Sequence, residues 1–250
     1  MEIERTKGAK VKARTGYAAR TGYAARIGYA AWIGYAAWIV GVVQFFVIHA
    51  IAESAWAKPY SWARYNISDL GNAHCALQAD PESRYVCSPE HGLMNGAFVV
   101  LGALLVVGVV LTGAGLWRRG AAATTARLLL GAGGVGFILA GLAPADVNEN
   151  QHVLGALLIM GLGNIGLCLA GLGCSGAVPR PLRRATSLLG VIALVALGLF
   201  LSRHYLGLGM GGMERVAAFP LLAWALATGI RGLMRPASYL SSLSSGTKTT

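Results

Sequence analysis

LMNGAFVVLGALLVVGVVLTGAGL, residues 93–116, is the stretch that decides the fold. Its 24 residues contain no Asp, Glu, Lys, Arg or His. A hydrocarbon core roughly 30 Å thick is crossed by about 20 apolar residues in a helix. Inside it every backbone N–H and C=O must find its partner within the protein, and a helix supplies that partner locally. Five other stretches read the same way: residues 30–52, 128–143, 153–173, 186–201 and 213–230. The third and fifth spans in chain order, 128–143 and 186–201, are short, and are expected to gain a turn or to be met by local thinning. The expected architecture is an all-α integral membrane bundle of six transmembrane helices.

Composition agrees with this reading. Of the 250 residues, 55% are hydrophobic and only 12% charged, where a soluble domain carries roughly 25%. A disordered chain, a disulfide scaffold and an ordinary soluble enzyme are excluded. The formal net charge of +11 would suggest nucleic acid in a soluble protein. Here no basic stripe alternates with exposed aromatics, and no nucleic-acid partner is expected. With both termini in the cytoplasm, sixteen of the 21 Lys and Arg lie in inner segments; Lys58, Arg64, Arg84, Arg203 and Arg215 lie outside. Cytoplasmic loops carry such an excess. The expected topology is N-in/C-in in the cell membrane, with an extracytoplasmic loop after the first helix. Three regions follow: a basic, repeat-containing cytoplasmic segment at 1–29, the six-span domain at 30–233, and a disordered cytoplasmic tail at 234–250.

The repeat is RTGYAA, RTGYAA, RIGYAA and WIGYAA, from Arg14 to Ala37. Six residues are too few for a solenoid unit, so it reads as a duplication extending the front of the first helix. Tyr17, Tyr23, Tyr29, Trp32, Tyr35 and Trp38 would suit an interfacial belt. GAGGVG (131–136) and GLGNIG (161–166) resemble small-residue faces that let membrane helices approach closely. Cys75 and Cys87 fall in the outer loop, where oxidising conditions permit a disulfide. No CxxC spacing exists for a thiolate zinc site.

The polar residues are distributed unevenly. Glu53, Asp69, Asp80, Glu82, Glu90, Asp146, Glu149 and Glu214 all fall at the outer end of a span or in an outer loop, as do His49, His74, His91, His152 and His204. The inner loops hold neither acid nor histidine. An outward-facing polar pocket is expected, with the loop 56–90 as a partial lid docked by Trp56, Tyr60, Trp62 and Tyr65. His49 and Glu53 are four apart and share a helix face. Glu53 or Glu214 could pair with Arg203 or Arg215 and pin helix ends. Asn164, in mid-span, reads as an interhelical hydrogen-bond clamp.

Three motifs carry a resemblance: SDLG (68–71), PADVNENQH (144–152) and GMERV (212–216). Over roughly residues 33–233 the chain resembles the group of membrane proteins known as domain of unknown function 998. The resemblance implies a six-helix bundle and no agreed reaction. It implies that Asn66, Ser68, Asp69, Asp146, His152, Glu214 and Arg215 stand at the matching positions.

Two classes of function fit these residues. One is a hydrolase or transferase acting on a lipid or polyprenyl substrate at the outer leaflet. Asp69, Asp146, His152, His204 and Glu214 are its candidate catalytic residues; Asn66, Ser68, Arg203 and Arg215 are its candidate substrate-binding residues. A His beside a carboxylate can act as a general base near neutral pH. Arg203 and Arg215 could hold a phosphate or carboxylate bidentately. Ser68 is either a nucleophile or, beside an Asp in a turn, a helix cap. The other class is a non-enzymatic lipid-binding, sensing or membrane-assembly protein. The expected partners are the bilayer and a lipid or isoprenoid ligand. His91, His152 and His204 with Asp69 or Asp146 could hold zinc, and His49 with His152 or His204 could hold a b-type haem. No spacing within one helix enforces either, so no metal is assigned and the cofactor stays unknown. SRHYLG (202–207) resembles the start of the last motif of membrane lipid phosphatases, but Gly209 and Met213 stand where that motif needs His and Asp.

Overall fold

The structure is a computed structural model describing residues 2–79, 83–176 and 178–234, with side chains from residue 28 onward except that of Ala114. Asp80, Glu82 and the expected disordered tail beyond residue 234 lie outside the described residues. The elements are α1 (Glu2–Ser54), a 3-10 turn (Ser68–Gly71), β1 (Ala76–Gln78), β2 (Arg84–Val86), α2 (His91–Leu111), α3 (Gly113–Leu116), α4 (Ala121–Leu142), α5 (Glu149–Leu157), a π-helical turn (Leu158–Gly163), α6 (Asn164–Gly173), α7 (Arg180–Leu201) and α8 (Gly209–Leu233). Among the described residues six helices are long and apolar enough to cross a membrane: Gly28–Ser54, His91–Leu111, Ala121–Leu142, Glu149–Gly173, Arg180–Leu201 and Gly209–Leu233. The bundle is all-α. The two three-residue strands pair antiparallel in the first loop, Leu77 opposite Tyr85.

The fourth and sixth spans begin four residues before their apolar stretches, and the third and fifth begin earlier still, at Ala121 and Arg180. Neither of the last two is short after all. AAATTAR and RPLRRA are poor in apolar surface but rich in Ala and Arg, which are strong helix formers, and Pro181 sits in the first turn of α7, where its missing N–H costs nothing. The second span ends sooner than its hydropathy, at Leu111, with α3 following as a separate turn. Asn148 caps α5 by accepting from the Gln151 N–H.

Consecutive spans pack side by side, and α8 returns to α1, closing the ring. Trp38, Phe45, Leu101, Leu130, Leu167 and Leu221 fill its core. The two glycine motifs meet: a Cβ on Gly133 would lie 3.2 Å from the Gly163 Cα. This is the close approach expected of small-residue faces. The Asn164 Nδ2 donates to the carbonyls of Met160 (2.7 Å) and Ala217 (2.8 Å), so it does clamp the fourth span to the sixth.

The aromatic belt is corrected. Tyr29 and Trp32 are exposed, but Tyr35 and Trp38 are buried in the core. Each six-residue repeat turns a helix by about 600°, leaving its aromatics about 120° short of two full turns. Successive copies therefore face different neighbours, and the last copy faces inward. The side chains of Tyr17 and Tyr23 lie outside the described residues.

Candidate functional site

The SDLG turn, Ser68–Gly71, is held from several directions at once. Asp69, almost wholly buried, accepts from the Asn66 N–H (2.9 Å), from Arg84 Nε (3.2 Å) and from Arg84 Nη2 (3.1 Å). Arg84 is buried too. It reaches Asp69 from β2, and the Cys75–Cys87 disulfide closes the ribbon that carries it. Buried charges require such partners. The Ser88 Oγ donates to the Leu70 carbonyl (2.7 Å), and the Asn95 Nδ2 to the Gly71 carbonyl (2.8 Å). From α8, Glu214 accepts the Ile67 N–H (2.5 Å).

The loop before the turn is docked by Arg215. Its Nη1 donates to the carbonyls of Trp62 (3.1 Å), Tyr65 (2.8 Å) and Gly211 (2.8 Å), and its Nη2 to the Tyr60 hydroxyl (2.7 Å). The guanidinium also lies over the Trp62 ring, 4.8 Å from its centroid. Tyr60 in turn donates to the Asn66 carbonyl (2.7 Å). Burial raises the Tyr60 phenol well above its ordinary value, although Arg215 pulls the other way. Trp56, Tyr60 and Tyr65 form one aromatic cluster. Gly211 lets the loop backbone sit on the start of α8: its N–H donates to Ala63 O (3.0 Å), and a Cβ there would collide with Tyr65 O.

Asp146 ties the next stretch of loop to the α4–α5 connection. It accepts from the N–H groups of Ala73 (3.0 Å) and His74 (2.7 Å) and from the His74 ring (3.0 Å). Burial opposes its charge, but these bonds outweigh that and hold its carboxyl below the ordinary value.

What faces open space is a smaller set. Ser68, His152 and Glu214 line one cavity of about 40 Å³, walled by Phe45, Phe98, Phe137 and Phe219. Ile67, not Ser68, holds the capping position of the turn, and no hydrogen bond of the Ser68 hydroxyl is seen among the described residues. The His152 Nδ1 lies 2.9 Å from the Ala143 carbonyl. A carbonyl can only accept, so Nδ1 carries a proton, and in the neutral ring Nε2 is the nitrogen with the free lone pair. The π-helical turn contributes Ile159 and Met160 to the same wall.

The candidate residues thus fall into three groups. Ser68, His152 and Glu214 share the cavity. Asn66, Asp69, Asp146 and Arg215 surround it as the framework of the loop, with the Asn66 Oδ1 buried and unpartnered. Arg203 and His204 stand apart on the exposed α7–α8 turn, where the His204 Nδ1 donates to the Ser202 carbonyl (2.8 Å). Glu53 and Glu214 do not pair with Arg203 or Arg215; Glu53 faces His49 (3.6 Å) and accepts from Trp62 Nε1 (3.0 Å). His91, His152 and His204 each turn to a backbone carbonyl, and no three His, Cys, Asp or Glu side chains among the described residues come together around a metal-sized gap. Sequence reasoning missed Arg84, Ser88 and Asn95 as holders of the turn. Only the position of Arg84 between the two cysteines hinted at its role.

A family model described as "Protein of unknown function (DUF998)" matches residues 39–231, more than half of the chain. No curated protein matches the chain, and no solved structure does.

Proposed function

We propose that this chain, which belongs to the DUF998 family of membrane proteins of unknown function, is a hydrolase or transferase acting on a lipid or polyprenyl ester at the outer leaflet of the cell membrane. One observation carries the reading. Ser68 and His152 both line one apolar cavity, and neither the Ser68 hydroxyl nor the His152 Nε2 has a hydrogen-bond partner among the described residues. A Ser hydroxyl and an imidazole on one cavity are the minimum set for nucleophilic acyl transfer. In the proposed step Ser68 Oγ attacks the ester carbonyl as its proton passes to His152 Nε2. His152 then returns that proton to the departing alcohol, leaving an acyl-serine. Water or an acceptor alcohol, deprotonated by the same nitrogen, releases the acyl group and restores Ser68. Glu214, Asp69 and Arg215 act as positioning residues, because they hold the backbone on either side of Ser68. A cavity of about 40 Å³ admits a carbonyl and a water, at roughly 10–15 Å³ per water, while the headgroup and chains stay outside.

The proposed topology is N-in/C-in, with the loop 56–90 on the outer face. The Lys and Arg bias supports it, and so does the Cys75–Cys87 disulfide, which belongs in an oxidising compartment. A second reading, lipid binding or sensing without turnover, is favoured by how many polar groups are spent on the loop itself. Asp69, Arg84, Asp146 and Arg215 all have protein partners.

The test is a fluorophosphonate probe applied to the purified chain in vesicles, with lipid turnover followed in parallel. The expected result is an adduct on Ser68, absent in Ser68→Ala, with turnover slowed at least about 100-fold in His152→Gln. A wild-type chain that forms no adduct and turns over no lipid, while carrying bound lipid, sinks the enzymatic reading in favour of the second.

A further inference from the structure

At the opposite, basic end of the bundle, α1, α7 and α8 enclose a second and larger cavity of about 470 Å³. Its volume is that of ordinary ligand pockets, about 300–1,000 Å³. Ala185 on α7 and Ala223 and Ala227 on α8 leave the space open. Along α8, Trp224, Thr228 and Arg231 recur at helical spacing, so they share the face that lines it.

Trp224 is the telling residue. Its ring packs against Trp38 (centroids 5.1 Å apart) and Trp117 (6.2 Å). The Trp38 Nε1 donates to the Leu105 carbonyl and the Trp117 Nε1 to the Thr112 hydroxyl. Trp224, only 5% exposed, finds no acceptor for its indole N–H among the described residues. The N–H is not among the side-chain atoms sealed from their surroundings, and the open space beside this ring is the cavity. Arg231, in the last turn of α8, faces no carboxylate among the described residues. The adjoining segments 112–120 and 174–185 contain several Arg and no acid.

The geometry points to a binding site for an anionic phospholipid of the leaflet at this end of the bundle. One acyl chain fills the cavity, the phosphate meets the Arg231 guanidinium, and an ester carbonyl accepts from the Trp224 N–H. Seven residues of helix place Trp224 about 10 Å deeper than Arg231, on the side where the esters of a phospholipid follow its phosphate. Arginine suits phosphate because its planar fork donates two parallel bonds. A zwitterionic headgroup brings a cation into a rim that is already basic, and is disfavoured for that reason.

The experiment compares dioleoyl phosphatidylglycerol with dioleoyl phosphatidylcholine, bound to the purified full chain in detergent and read by native mass spectrometry. The glycerol lipid is expected to bind about tenfold more tightly. Arg231→Gln should bring the two lipids within about twofold of each other. Trp224→Phe keeps the ring, and should weaken both lipids alike without touching the preference. Ala227→Trp fills the cavity and should abolish both. Equal binding of the two lipids by the wild-type chain overturns the proposal without recourse to any variant, as does an Ala227→Trp chain that still binds phosphatidylglycerol normally. Ser68 takes no part in this cavity, so the probe experiment and this one fail independently.

Discussion

Replacing Arg84 by Met should open the Ser68–Gly71 turn without unfolding the bundle. In the native chain the buried Asp69 carboxylate accepts three hydrogen bonds, two of them from Arg84. Arg84→Met leaves it the Asn66 N–H alone. Removing one partner from a buried ion pair costs about 3–5 kcal/mol, chiefly because a charge stays behind unpaired. The six spans do not depend on that pair, so the cost falls on the local opening of the turn. At about 1.4 kcal/mol per factor of ten, the opening equilibrium should rise by roughly 10²–10⁴. Hydrogen–deuterium exchange at the amides of Asn66, Asp69 and Leu70 reads this directly. Asp69→Leu combined with Arg84→Met leaves no unpaired charge, and should return exchange to within about tenfold of wild type. Lys58→Met, at an exposed site, should change nothing. An Arg84→Met chain whose exchange rises less than about tenfold would refute the reasoning, and so would a double variant as open as the single one.

Three other outcomes are expected. Asp146 is held below its ordinary pKa, so its contribution is fully present above the unfolded carboxylate value and is lost as pH falls through the lowered folded one. Exchange at Ala73 and His74 should therefore accelerate below about pH 4, and Asp146→Asn should remove that acid dependence. Replacing Cys75 and Cys87 by Ser should destabilise the loop after α1 by about 3 kcal/mol for a separation of 12 residues, measured as faster proteolysis between residues 56 and 90. Gly211→Ala forces a Cβ into the Tyr65 and Trp62 carbonyl oxygens and should cost about 1–3 kcal/mol, seen as a lowered Tm. Gly92→Ala, where a Cβ meets nothing within 4 Å, is the control.

The six spans were legible because the bilayer leaves so few alternatives: uncharged runs of sufficient length must be helices. Their ends were less legible. Hydropathy stops at Leu128 and Thr186, but the helices run back to Ala121 and Arg180, since helix propensity and apolarity are different properties. Asn164 could be read as a clamp because a lone amide in mid-span has few other uses. The candidate site was legible as a list of residues and not as an arrangement. Asp69, Asp146 and Arg215 look like reactive groups in the sequence, yet each is engaged in holding backbone. Which charges are spent depends on Arg84, brought to Asp69 by a strand pairing and a disulfide, and no local spacing encodes that. The Ser68 and His152 pairing spans 84 positions of chain, and only the closed ring of helices puts them on one cavity.

The π-helical turn Leu158–Gly163 separates the half of its span that carries His152 from the half that carries Asn164. The wider turn accommodates one residue more than an α-helix does, and each residue rotates a helix by about 100°. The extra position shifts the sequence phase between the two halves, with the imidazole before it on the cavity and the amide beyond it locked to α8. Excising a single position here would close the wide turn to an ordinary α-turn, which takes up the deletion within the turn itself. The turn thus sets how the cavity-lining half of this span is phased against the half that is anchored to α8.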